Sequence, residues 1–147
     1  MKIEYGIDPS VQETHVRKTF TSTGTEMDQG ALVAFTITGR VRVHDVTVFC
    51  TETFVGAATL DLGVVGVIDI FSAGAGDIDN ATSFVTNDWW NLTDGLTVPG
   101  GTVTQDNLQG IAISANVILT VGAADITDGT MIIDLWYTPI TDGAGLA

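Results

Sequence analysis

The feature that most constrains this chain is a run of alternating hydrophobicity that changes step partway along. From Ala31 the odd positions are Ala31, Val33, Phe35, Ile37, Gly39, Val41 and Val43, all small or apolar. The even side carries Thr36, Thr38, Arg40, Arg42 and His44. Beyond His44-Asp45 the apolar residues move to even positions, Val46, Val48 and Cys50. A period of two marks a strand with one buried face, because successive side chains of a strand point to opposite faces. Twenty residues of straight strand would span about 66 Å, against roughly 17–20 Å for an ordinary one. The segment must therefore bend or break. Gly39 is one place for a corner, since glycine inside a strand often marks a bulge or tight bend. His44-Asp45 is the other, where one extra residue would re-aim every following side chain and swap the phase. Long strands that cross from one sheet to another belong to sandwiches and barrels.

The rest of the chain agrees. VRKTF (16–20) reads as a first strand, preceded by a polar arm over residues 1–12 that contains Asp8-Pro9. ATLDLGVV (58–65) and GVIDIF (66–71) read as strands, with Leu60, Leu62, Val64, Ile68 and Ile70 in phase. LQGIAISANVILTV (108–121) puts Ile111, Ile113, Ala115, Val117, Leu119 and Val121 on one face. TMIIDLWYTPI (130–140) reads as a closing strand, with Met131, Ile133, Leu135 and Tyr137 opposite Ile132, Asp134 and Trp136. Residues 21–30, 72–83 and 122–129, rich in Gly, Asp, Asn and Thr, are the turns and loops. The last residues, 142–147, read as a loose tail. No stretch keeps a 3.6-residue period, and no repeat of roughly 20–50 residues is present. These patterns predict an all-β chain: an antiparallel β-sandwich, or a jelly-roll or barrel-like single domain, over residues 13–141. At 147 residues, such a chain buries about two thirds of its unfolded surface and needs neither disulfide nor metal to fold.

Charge is distributed unevenly. All five basic residues, Lys2, Arg17, Lys18, Arg40 and Arg42, precede Val43, whereas thirteen Asp and Glu follow it, within a net charge of −13. An acidic body repels phosphate backbones and anionic lipid surfaces, so neither nucleic acid nor membrane is an expected partner. The opening MKIEYGIDPSVQE lacks the apolar core of a signal peptide, and no run reaches the roughly 18 apolar residues of a membrane helix. The expected setting is a cytosol, where the chain stays or is assembled into something larger.

Chemistry-bearing residues are few. Cys50 is the single cysteine, in an apolar strand beside Phe49, with no charged helix end to lower its pKa. It reads as a small buried hydrophobe; of the two histidines, His15 and His44, His44 shares a face with Arg40 and Arg42 and reads as a solvated or interface residue, not as a catalytic base for Cys50. Asp77, Asp79 and Asn80 in one loop, and Asp125 with Asp128 in another, offer oxygen ligands of the kind calcium takes. Their spacing does not match an EF-hand, and Asp and Asn equally favour turns by bonding their own backbone. Nothing selects a carboxylate pair for glycoside cleavage. Of Trp89 and Trp90 only one can face a ligand, because neighbours on a strand point opposite ways. No nucleophile elbow, phosphate loop or zinc spacing is present. No catalytic, cofactor-binding or metal residue is therefore assigned, no cofactor is expected, and the chain reads as a surface-maker, not an enzyme.

Three groups of residues carry a family resemblance. Gly39, Arg40, Val41 and Val43 form a GRV.V strand. Gly56, Ala57, Ala58, Thr59, Leu60, Leu62 and Gly63 form a GAATL.LG segment, and Tyr137 and Pro139 form an aromatic Y.P strand near the C-terminus. Together they span about a third of the chain, and they resemble small structural proteins of tailed-bacteriophage virions. The resemblance implies a capsid decoration (cement) or head-fibre-like protein, non-enzymatic and often a homotrimer, whose partners are its own copies and the major capsid protein. The unequal charge suggests docking through the side formed by residues 1–42. The alternative expectation is a β-sandwich module of a fibre or tail that binds carbohydrate or a host surface.

Overall fold

Two antiparallel sheets share one core in the computed structural model, which describes residues 13–68, 70–71, 85–91, 95–98, 101–102 and 110–147. The arm over 1–12 and the loop over 72–83, with Asp77, Asp79 and Asn80, lie outside the described residues. The strands are β1 (Thr14–Ser22), β2 (Gly30–Phe35), β3 (Ile37–Thr38), β4 (Val41–Val55), β5 (Thr59–Val64), β6 (Trp89–Asn91), β7 (Gly95–Val98), β8 (Gly101–Thr102), β9 (Ile111–Ile113), β10 (Val117–Gly122), β11 (Asp128–Pro139) and β12 (Gly145–Leu146). The large sheet has the order β1-β11-β4-β6-β7-β8, with β9 also paired to β4. The small sheet has the order β2-β10-β5, and β12 pairs β3. The chain passes repeatedly from one sheet to the other. In a jelly roll, strands lettered B to I along the chain form one sheet in the order B-I-D-G and a facing one in the order C-H-E-F. The orders β1-β11-β4-β6 and β2-β10-β5 follow that pattern, with no strand in the F position among the described residues.

Both expected breaks in the long alternating run are present. Gly39 has φ +71°, a backbone region that L side chains avoid, and the chain turns there between β3 and β4. The β4–β11 register runs Asp45↔Trp136 and then Val43↔Tyr137, so His44 is one residue too many on β4. This bulge moves the buried positions from Val41 and Val43 to Val46, Val48 and Cys50, all fully buried. Leu60, Leu62, Val117 and Leu119 of the small sheet meet Met131, Ile133, Leu135, Val48 and Trp90 of the large one in the shared core. A Leu or Ile fully withdrawn from water contributes about 1.5–3 kcal/mol, so this two-layer interior holds the sheets together.

Four local expectations need correction. On β2 the odd positions do not face inward: Val33 is 50% exposed, whereas Ala34 and Phe35 are buried. The register passes from Phe35↔Val117 to Val33↔Ile118, so Ala34 is bulged and the phase changes there. The described residues of GVIDIF do not form a strand. After β5 the chain doubles back, with Val64 and Val67 exchanging both backbone hydrogen bonds at 2.9 Å and Phe71 N–H donating to the Leu62 carbonyl. A Cβ on Gly63 would collide with the carbonyls of Val67 and Ile68, so only glycine admits this close return. The described part of 108–121, from Gly110 on, is not one strand either, because β9 belongs to the large sheet and β10 to the small one. Finally, the segment expected as a loose tail is paired. Gly145 and Leu146 lie opposite Thr38 and Ile37, Thr36 and Ala147 exchange backbone bonds of 2.7 and 3.0 Å, and the Tyr137 hydroxyl accepts from Leu146 N–H.

Candidate functional site

The outward face of the large sheet gathers side chains from β1, β11, β4 and β6 into cross-strand rows. Pairing places Thr19 opposite Ile132, Ile132 opposite Phe49, and Phe49 opposite Trp89. Phe49 and Trp89 are 37% and 38% exposed, so an apolar, aromatic row crosses the centre of this face. Trp90 points the other way and is fully buried, as alternation along a strand requires. Facing aromatic pairs on neighbouring strands stabilise a sheet by about 0.2–1 kcal/mol. Their exposed flanks also offer a second surface something to bury.

A polar cluster lies in the next two rows. Arg17 is opposite Asp134, and His15 is opposite Trp136. The Arg17 guanidinium donates to both Asp134 oxygens, from Nε at 2.7 Å and from a terminal nitrogen at 2.9 Å, and His15 Nε2 lies 2.6 Å from Oδ1. His15 also stacks on Trp136 with ring centroids 4.9 Å apart. Burial by itself would raise the Asp134 pKa, but the Arg17 hydrogen bonds, helped by His15, outweigh it and hold the carboxyl below its ordinary value. A nearly buried carboxylate in an apolar strand needs such partners. The lone Asp134 within MIIDLWY was the sequence signal for them, and it was missed because its partners lie more than a hundred residues away. At the opposite edge of the aromatic row, Thr130 donates to Glu52 at 3.2 Å.

At one end of the same sheet the His44 bulge opens a cleft of about 280 Å3 lined by Arg42, His44, Thr138, Pro139 and Ile140. His44 Nε2 lies 2.6 Å from the Thr138 hydroxyl, which fixes the ring. A Cβ on Gly110 would fall 3.2 and 3.4 Å from Cγ and Cδ of Arg42, so the bare Gly110 backbone lies close against the arginine stem.

The remaining chemistry-bearing residues have local duties. Cys50 is buried; burial, reinforced by the Asp88 and Glu52 carboxylates, pushes its thiol up to about 11 despite the hydrogen bond it donates to the Glu52 carbonyl. A thiol so protonated is a poor nucleophile at neutral pH. Asp128 accepts from Gly129 N–H at 3.0 Å, a local turn bond, whereas Asp125 accepts from Gln29 N–H at 2.7 Å and ties two loops distant in the chain together. Among the described residues no group of three or more His, Cys, Asp and Glu converges as metal ligands would.

No protein-family model matches the chain, and no curated protein sequence matches it. Among solved structures the chain is similar to one from the cyanophage Pam1 capsid asymmetric unit, with 17% sequence identity and a TM-score of 0.57 over 95% of this chain and 94% of that one. At that identity the likeness is one of fold.

Proposed function

We propose that the chain is a structural component of a bacteriophage virion, a decoration (cement) protein that sits on the outside of the head as an oligomer, a homotrimer in the simplest form. Its partners in this reading are its own copies and the major capsid protein. The observation that carries the proposal is the outward row of Ile132, Phe49 and Trp89 on a sheet whose other face is already buried in the core. A chain of net charge −13 gains nothing in solubility from exposed aromatic rings, but it gains a contact. Jelly rolls serve in viral capsids and in lectins alike, so the fold by itself does not choose the role. The similarity to a chain of a cyanophage capsid favours the capsid reading. So does the use of the reactive groups, since Cys50 is a buried thiol and Asp134 is neutralised by Arg17, both serving packing and not turnover. Arg17 and His15 border the aromatic row, which supports a docking face that includes β1 of the basic N-terminal part. The acidic body would face solvent, and neither nucleic acid nor membrane is a partner.

Co-sedimentation with purified empty heads of the parent virion tests this reading. The expected result is saturable binding at a fixed copy number per head; no binding at any concentration would refute it. Deletion of residues 1–12 should weaken binding if the arm takes part, and unchanged binding removes the arm from the account. One observation favours the carbohydrate-binding alternative. Trp89, with Phe49 opposite it on the next strand, is a partly exposed aromatic pair, and sugars stack on exposed aromatic rings. In that reading, added glycans quench tryptophan fluorescence in the wild type but not in Trp89→Phe.

A further inference from the structure

The cleft at Arg42 and His44 stands out electrostatically. Of the described residues that line it, none is acidic, although the chain holds eighteen carboxylates and only five Lys and Arg. Among the described residues Arg40 and Arg42 make no ion pair, whereas Arg17 is held bidentately by Asp134. Arg40 belongs to the same corner, since its carbonyl accepts from Ile140 N–H at 2.8 Å and its N–H donates to the Thr141 hydroxyl at 3.0 Å. The cationic end is also well organised. Gly110 lies against the Arg42 stem, the bulge aims His44, and the Thr138 hydroxyl holds the ring. Pro139 and Ile140, the latter 46% exposed, add an apolar wall. A guanidinium with open donors beside an imidazole and an apolar wall suits a carboxylate side chain carried on a protein segment.

The geometry points to a second copy of this chain as the source of that carboxylate. Every copy carries thirteen Asp and Glu after Val43 and no Lys or Arg in that part; apart from Asp134, held by Arg17, and the buried Asp88, that leaves an excess of carboxylate. The complement to the cleft is therefore present on each neighbour. Symmetry decides the arrangement. A two-fold contact centred on the cleft would set Arg42 against Arg42 and leave the acidic surfaces unused. The cleft therefore lies off any two-fold axis and meets the acidic body of a neighbour; repeated head-to-tail, basic corner to acidic body, this contact gives a ring where the rotation between copies closes. This inference rests on the reading of the chain as an oligomer and supplies the contact that orients its copies; the aromatic face remains free for the head.

Two experiments on the full chain test it. Arg42→Glu, an exposed site, should lower the solution mass toward that of a monomer, raising the dissociation constant at least about tenfold, while Arg42→Lys keeps the assembly. A circular-dichroism spectrum and melting curve matching wild type confirm that the variant is folded. Independently, a photo-crosslinking phenylalanine analogue placed at Ile140 should join two copies, with the attached peptide lying beyond Val43 and containing Asp or Glu. An assembled Arg42→Glu, or a crosslink to a non-acidic segment, overturns the inference and leaves the oligomer reading intact. A wild-type chain that is monomeric at all concentrations overturns both. Loss of head binding with an intact ring removes only the capsid reading.

Discussion

Replacing Gly39 with alanine, and Gly143 with alanine as its matched control, separates backbone strain from crowding. Both glycines have φ +71°. A side chain in this region costs roughly 1–2 kcal/mol, and the stiffer unfolded chain returns about 0.4–1 kcal/mol of that. Around Gly143 a new Cβ meets nothing within 4 Å, so only this small net loss applies. At Gly39 the same Cβ would lie 2.7 Å from the Thr141 hydroxyl, 2.9 Å from Ala144 Cβ and 3.2 Å from Ala144 Cα. The hydroxyl is tied to Arg40 N–H, and Ala144 belongs to the segment that carries β12 onto β3. Neither can withdraw without loosening the corner, and forced shifts of this kind cost about 1–3 kcal/mol more. At roughly 2–4 °C per kcal/mol for a domain of this size, Gly39→Ala should melt about 2–12 °C below Gly143→Ala. Gly39→Val, β-branched in the same backbone region, should fall further. Thermal unfolding followed by far-ultraviolet circular dichroism, with urea titration as a check, gives the comparison. Coincident melting of the two alanine variants would refute the claim that the β3–β4 corner is packed under the C-terminal segment.

Asp134→Asn should destabilise the fold by about 1–2 kcal/mol near neutral pH, because a nearly buried acceptor loses its charge-assisted partners. Since the folded carboxyl sits below its ordinary value of 3.8, its contribution is complete above that pH and is lost as pH falls through the folded value. The variant should therefore show a flatter acid limb in a plot of melting temperature against pH, and parallel limbs would count against the cluster. Cys50, buried and with its thiol held up to about 11, should not react with an aromatic disulfide reagent at pH 8 until the chain is unfolded; prompt reaction of the native protein would contradict its burial. Trp90→Ala should cost about 3–5 kcal/mol and Trp89→Ala less than about 1 kcal/mol, and equal losses by denaturant titration would mean that the two rings do not divide between core and surface.

The phase swap in β4 was legible because one face alternates cleanly with Arg42, Thr47 and Thr51 on the other, so a bulge leaves a visible mark. On β2 both faces are apolar. Ala31 and Val33 compete with Leu32 and Ala34, and parity does not say which pair turns inward. GVIDIF misled for a related reason. Its β-branched residues suit a strand, but the chain turns at Val65-Gly66, where Gly66 has φ +95°, and folds back over Gly63 within a few residues. The turn residues of DGAGLA (142–147) suit a loose tail, yet the Tyr137 hydroxyl and the edge of β3 give it partners. The outward surface was the least legible. Its row takes Ile132, Phe49 and Trp89 from three strands far apart in the chain, and only register brings them side by side. The division between Trp89 and Trp90 followed from alternation alone, without saying which of them faces outward.

Binding of the double variant Phe49→Ser/Trp89→Ser to purified heads tests the central claim most directly. The account predicts a variant that melts close to wild type, keeps its solution mass, and no longer sediments with heads. A folded variant that saturates heads at the wild-type copy number would contradict it.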